Sequence, residues 1–351
     1  MQESMRDFVQ GRRATSPWQI PRSGWKEVLK RTWNETWVDN VSLVAAGVAF
    51  YGFLALVPLL AAVVLIYGFV AEPQTVLETL RTLFAVLPND IAQFVSEQLV
   101  GVVQASEGRK GIGLAVALAV SLYGASNGAW AIITALNIAY EEDEKRRWWK
   151  VYLLTFVITF AVIVAALAGI AAATVVTSLE ELVPRASGFA IVVGKAAAYV
   201  LLALAAAGAA ATLYRWGPSR EHARWKWITP GSALSAVMWV VLSAIFGFYA
   251  ARIANFGATY GSLGAIAGFL TWLYLSAYVF LFGAELNSEL EHQTARDSTT
   301  GAPEPLGERG AWAADHVAGE WDDRAPEEGP SLASASPAAA KKQDDESSES
   351  S

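Results

Sequence analysis

Few side chains in this sequence could do chemistry. Lys195 stands alone in an apolar stretch, after Phe189-Ala-Ile-Val-Val-Gly194 and before Ala196-Ala-Ala-Tyr199. An ammonium in hydrocarbon costs at least several kcal/mol, so it should face a partner or water. It would suit an anionic ligand in a wet groove; alternatively, its long stem snorkels to the membrane interface. Glu285 lies in Gly283-Ala-Glu285-Leu-Asn287, at the inner end of the last apolar block. It either pairs with a basic residue or marks that interface. Asn127 and Asn137 lie ten residues apart in one apolar block. Amides in lipid must find hydrogen bonds, so bridging between helices is the first expectation and ligand contact the second. Lys195, Asn127, Asn137 and Glu285 are the candidate substrate-pathway residues.

Other chemistries lack their residues. The chain has no cysteine, which excludes disulfides, thiolate catalysis and Cys-built zinc sites. His222, His292 and His316 are the only histidines, and no two have metal-ligand spacing. We therefore expect no metal and no cofactor. The run Glu141-Glu-Asp-Glu-Lys145-Arg-Arg147 could suggest a metal or nucleic-acid patch. Its signs cancel, so a solvated turn fits better than a phosphate-binding surface. Phosphodiester hydrolysis needs clustered carboxylates with metal, or a His acid–base pair. The expectation is a non-enzyme with no nucleic-acid partner.

The elements that hold these residues are apolar helices. Of 351 residues, 54% are hydrophobic and 17% charged, against about 25% charged in soluble domains. The apolar residues form blocks of the roughly 20 residues that a bilayer-spanning helix needs. The expected fold is all-α: a polytopic membrane protein of about six transmembrane helices. The spans fall at about 41–70, 111–138, 150–177, 189–213, 230–252 and 261–287. Pro58 should kink the first helix, since its ring displaces the carbonyl of Leu54. Pro230 is expected in the first turn of its helix, where a missing N–H costs nothing. Residues 72–104 carry apolar residues on helical faces but are too charged to span, so they are expected to be amphipathic outer helices. Segment 1–40 is expected to hold an interfacial helix, with Trp25, Leu29, Trp33 and Trp37 on one face.

Gly257, Gly261, Gly264 and Gly268 form a small-residue stripe into the last span, and Gly124 with Gly128 forms another small pair. Small residues let helices approach closely in lipid, so packing is their expected role. A homo-oligomer face stays open. Residues 293–351 hold 13 acidic and 5 basic residues amid Pro, Ala, Ser and Gly. The expectation there is a disordered acidic tail.

Charge sets the expected orientation. The first forty residues carry seven Lys or Arg; the loops near 145–150 and 215–226 are also basic, and the alternate loops are poor. Basic residues collect in cytoplasmic loops, so both termini are expected inside.

Three blocks carry a family resemblance. Ala45-Ala-Gly-Val-Ala-Phe-Tyr51-Gly-Phe-Leu-Ala-Leu-Val-Pro58 resembles the first-helix motif of the YihY/BrkB family of bacterial inner-membrane proteins, once labelled ribonuclease BN. The stretch from Asn127 through Asn137-Ile-Ala-Tyr140 resembles its second block. Tyr260-Gly-Ser-Leu-Gly264, Leu270-Thr-Trp272-Leu-Tyr274 and Gly283-Ala-Glu285-Leu-Asn287 resemble its terminal block. Ala55 departs from the pattern, where relatives often carry a small hydroxyl residue; this weakens any hydroxyl ligand at the kink. The resemblance covers about 25–292. It implies a six-helix protein of the bacterial inner (plasma) membrane, and some members look linked to export of envelope lipids.

Two functional expectations follow. One is a transporter or translocator of an envelope lipid or anionic solute, with Lys195 and the asparagines lining its path. The other is a structural protein of the envelope whose partners are membrane lipids alone. The sequence has no ATP-binding P-loop, so driven export needs a gradient or a partner.

Overall fold

The computed structural model describes residues 11–70, 112–182, 188–252 and 264–318. Six long helices follow one short one. Helix α1 is Arg22–Val38, α2 Val41–Val70, α3 Ile112–Ala139, α4 Trp148–Leu182, α5 Gly188–Trp216, α6 Trp225–Arg252 and α7 Gly264–His292. A single turn, α8, spans Trp312–Asp315. Among the described residues there is no strand, only one isolated bridge between Ala223 and Thr299. Helix is the required choice for such apolar stretches, because lipid offers no partner to an open backbone group. Five of the helices contain windows long and apolar enough to cross a membrane. The expected amphipathic helices at 72–104 lie outside the described residues.

Helix α2 is central. It packs most extensively on α3 and also lies on α7; α7 in turn packs on α6, and α6 on α5. Small residues set the closest approaches. A Cβ on Gly124 would stand 2.8 Å from Pro58 Cγ, and one on Gly128 3.2 Å from Ala55 Cβ. The α6–α7 crossing is tighter. A Cβ on Gly231 would meet Gly283 O at 2.1 Å, and one on Gly283 would meet Ser235 Oγ at 1.9 Å. Of the expected glycine stripe, Gly264 and Gly268 are buried, while Gly257 and Gly261 lie outside the described residues.

The helix ends nearest the described segments 11–20 and 293–318 form what we call the base. Helix α1 lies there against α7 and α2. Its Gly24, Val28, Thr32 and Thr36 are buried. Its opposite face exposes Leu29, Trp33 and Trp37. Thr32 and Thr36 are accommodated in the apolar contact because each hydroxyl donates to the carbonyl four residues earlier, Val28 O and Thr32 O.

Two expectations need correction. Helix α6 begins at Trp225, so Pro230 lies inside it and not in its first turn. The proline leaves the carbonyl of Lys226 without its helical donor. Serine and threonine hydroxyls bond nearby carbonyls, as in Ser232 Oγ to Ile228 O at 3.0 Å and Thr229 Oγ1 to Trp225 O at 2.8 Å. The tail, too, is not disordered throughout, because residues 293–318 fold against the base. Arg309 donates to the carbonyls of Glu304, Ala314 and Ala295. Trp312 stacks on His316 and meets His292 edge-on. Composition misled here because order comes from side-chain bonds to backbone carbonyls together with a small apolar contact through Ala311, Ala313, Ala314 and Val317.

Candidate functional site

Two features could carry function: an apolar cavity in the middle of the bundle and a polar cluster at its base.

The cavity measures about 300 Å³ and is walled by α2, α3, α4, α5 and α7. Val48, Gly52, Ala55, Gly128, Ile132, Ile158, Leu213 and Phe280 line it. Its two hydroxyl residues are Thr159 and Ser276. Thr159 Oγ1 donates to Thr155 O at 2.7 Å, and Ser276 Oγ accepts from Trp239 Nε1 at 3.2 Å. Both are engaged elsewhere, so the wall is apolar in effect. The size is at the lower end of the roughly 300–1,000 Å³ of small-molecule sites. Its small residues make room: a Cβ on Gly52 would meet nothing within 4 Å.

The base holds ionised groups in unusual density. Glu291 Oε2 accepts from Arg220 Nη2 at 2.7 Å and from Ser298 Oγ at 2.6 Å. Both side chains of that ion pair are almost fully buried, and Arg220 also lies over the Tyr140 ring. Such a pair contributes little net stability, but breaking it strands a buried charge. Glu289 accepts from Arg31 Nε at 2.5 Å, joining α7 to α1. Asn287 Oδ1 accepts from Gly231 N at 2.8 Å, joining α7 to α6 just beside Pro230.

Glu285 sits one turn deeper on α7 and is 2% exposed. Its Oε1 is buried with no hydrogen-bond partner. Asp39, Glu289, Glu35 and Glu141 are the carboxylates whose charges act on it. Two of these segments end in left-handed residues, Asn40 at φ 51° after α1 and Glu141 at φ 52° after α3. Glu141 occupies the position that glycine usually takes in a Schellman helix end: Glu141 N–H donates to Ile138 O and Glu142 N–H to Asn137 O. A glutamate there is strained. Burial pushes its carboxyl up, with Asp39, Glu35 and Glu289 adding to the effect, to about 7. Glu144 goes the other way. Burial opposes its ionisation, but hydrogen bonds from Arg146 and Asn137 outweigh that and bring it to about 2.

Of the four candidate pathway residues, Asn127, Asn137 and Glu285 are not brought to one place. Asn127 is exposed and its amide donates to Gly124 O of its own helix at 3.2 Å. It bridges no helices. Asn137 is buried and ties α3 to the following loops: Oδ1 accepts from Ser219 N at 2.8 Å and Nδ2 donates to Glu144 at 3.1 Å. Glu285 belongs to the base cluster. Lys195 lies in α5, but its side chain is outside the described residues. Asp39, Glu289, Glu291 and Arg220 escaped the sequence reading. One signal was available: Glu285, Glu289 and His292 recur at helical spacing at the end of an apolar run. Among the described residues, no group of three or more His, Asp or Glu is arranged to hold a metal ion.

Comparison with known proteins places this architecture. The family described as Virulence factor BrkB matches residues 32–306. The chain belongs to the BrkB family. The match runs from the middle of α1 into the folded tail, so it includes Glu285, Glu289, Glu291 and Arg220 of the base but not Arg31. A putative ribonuclease-like protein, YfkH of Bacillus subtilis, is 30% identical over 191 residues, 53% of this chain and 69% of the relative. A UPF0761 membrane protein of Rhodospirillum centenum is 28% identical over 286 residues, 80% of this chain and 60% of the relative. Another, from Idiomarina loihiensis, is 26% identical over 259 residues, 72% of this chain and 87% of the relative. The chain is thus an integral membrane protein of the BrkB and UPF0761 kind. No solved structure matches it.

Proposed function

We propose that the protein is a transporter or translocator of an envelope lipid or a lipid-like anion in the bacterial inner membrane, and that it is not an enzyme. The cavity carries this reading. It is apolar and lies at mid-bundle, where an acyl chain is the available ligand of matching chemistry. A purely structural bundle has no use for a void, since each missing contact forfeits dispersion energy. For the name ribonuclease-like, borne by the Bacillus relative, the described residues offer no group of three or more His, Asp or Glu arranged to hold the metal that phosphodiester hydrolysis commonly uses.

Gly52→Leu tests the reading, because the added side chain fills the cavity from a position with free space around it. Native mass spectrometry of the purified chain should find co-purified lipid on the wild type and at least several-fold less on Gly52→Leu. Reconstituted vesicles should translocate a fluorescent anionic lipid with the wild type only. Equal lipid occupancy and equal translocation in both would sink the proposal.

We further propose that the base faces the cytoplasm, from its basic loops and from its exposed Trp148, Trp216 and Trp225, which suit an interfacial belt. A reporter enzyme active only outside the membrane, fused after Ser351, should be inactive. Activity would invert the topology.

A further inference from the structure

We propose that the ends of α5 and α6 at the base bind one anionic phospholipid, with Arg215 on its phosphate and Trp216 and Trp225 flanking the headgroup. Arg215 lies in the last turn of α5. Its guanidinium sits over the Trp225 ring at 4.8 Å and the Trp216 ring at 5.6 Å. The two indoles, both exposed, meet edge-on at 5.5 Å. Arg215 Nη1 donates to Ala223 O, but Nε is buried with no hydrogen-bond partner. Among the described residues no carboxylate pairs with Arg215.

The neighbourhood supplies no anion of its own. Glu144 is taken by Arg146 at 2.6 Å, and Arg146 also donates to Gly217 O at 2.9 Å, just past the end of α5. Glu221, the nearest acid in sequence, packs its side chain on Gly310. His222 meets Trp216 edge-on at 6.5 Å, and its Nδ1 is buried without a partner. Ring faces attract a cation without neutralising it, so the guanidinium keeps a charge to be met. Phosphate is the matching group, because its oxygens accept paired N–H donors from the arginine fork. Basic pockets between membrane helices are where anionic headgroups bind.

The surface beyond Arg215 makes the ligand a lipid and not free phosphate. From Trp225, an exposed stripe runs on along α6 at four-residue spacing through Thr229, Ala233, Val237 and Val241. Helix α5, which packs on α6, exposes Ala205 and Gly208, and a Cβ on Gly208 would meet nothing within 4 Å. Such faces suit an acyl chain. The site shares no residue with the mid-bundle cavity. It goes beyond the transport proposal and does not depend on it, and Gly52→Leu should leave it intact.

The full chain would be reconstituted into vesicles that mix phosphatidylcholine and phosphatidylglycerol, with one or the other brominated at mid-chain. The chain has no cysteine, so Ala233→Cys can carry a single bimane reporter, about 12 Å along α6 from Trp225. Val157→Cys, exposed on α4, is the control. Quenching should show phosphatidylglycerol enriched several-fold at 233 and not at 157. Arg215→Gln should bring 233 down to the level of 157. No enrichment at 233, or enrichment that survives Arg215→Gln, overturns the proposal. So does enrichment that added inorganic phosphate abolishes at matched ionic strength, which would assign the site to a free anion. Should Arg215→Gln fail to fold, Arg215→Lys is read in its place. It keeps the charge but loses the fork, so enrichment should drop about two-fold or more; an undiminished value overturns the proposal.

Discussion

Gly283 shows how single atoms set this bundle. Its α-hydrogen faces Ser235 Oγ, Gly231 O and Tyr214 Oη, all of which a methyl group would meet at under 3 Å. Gly283→Ala should therefore cost about 1–3 kcal/mol by overpacking, lowering the melting temperature of the detergent-solubilised protein. Gly247→Ala on α6, which meets nothing within 4 Å, should do the reverse by roughly 0.5–1 kcal/mol of helix propensity. Equal shifts for the two would refute the close α6–α7 crossing. Asn137→Ala should cost about 1–3 kcal/mol, because Ser219 N is left buried and unpaired. At this scale the sequence was legible only in part. It singled out Asn137 and Glu285 as polar residues in apolar runs. It could not name Arg220 as the partner of Glu291, because that ion pair joins residues 71 positions apart through the packing of the base.

The helices were the most legible elements, since an apolar run of bilayer length admits little else. Their ends were less so. Helix α6 begins five residues before Pro230, so the proline lies within it. The tail was misread for a related reason. Its fold rests on Arg309 and on Asp315, whose Oδ1 accepts from Gly307 N at 2.8 Å and Arg309 N at 3.0 Å. Composition counts such residues as solvating. Arg309→Ala should unpin 293–318 while leaving the six long helices intact. Limited proteolysis should then cut between Arg296 and Arg309 at least several-fold faster than in the wild type. Unchanged cleavage would show that Trp312 stacking suffices without the arginine.

For the whole molecule, the base makes stability depend on pH. Glu141 holds its proton up to about 7 when folded, against an ordinary 4.5. The folded state then binds more protons than the unfolded one, so stability falls as pH rises from about 4.5 to about 7. Glu144, brought down to about 2, contributes stability that is present above 4.5 and lost as pH falls toward 2. Thermal melts across pH 3–8 should therefore peak near pH 5, and Glu141→Gln should flatten the alkaline side. A melting temperature that climbs from pH 5 to pH 7 would contradict the carboxylate cluster. Because Glu141 is solvent-exposed at its edge, salt should blunt its part of the effect.

Residues 12–14, ahead of the helices, are bonded to residues 294–318, behind them. Arg12 O accepts from Ala295 N at 2.8 Å, Ala14 O from Thr294 Oγ1 at 2.7 Å, and Arg12 Nη2 donates to Ala318 O at 2.9 Å. During synthesis, residues 12–14 leave the ribosome first and must wait for 294–318, which arrive only after all six long helices have been threaded. The seam can close only on a fully inserted chain. A nascent protein that stalls before residue 294 lacks the partners of Arg12 and Ala14. The base thus records, in a few backbone hydrogen bonds, whether membrane insertion reached its end.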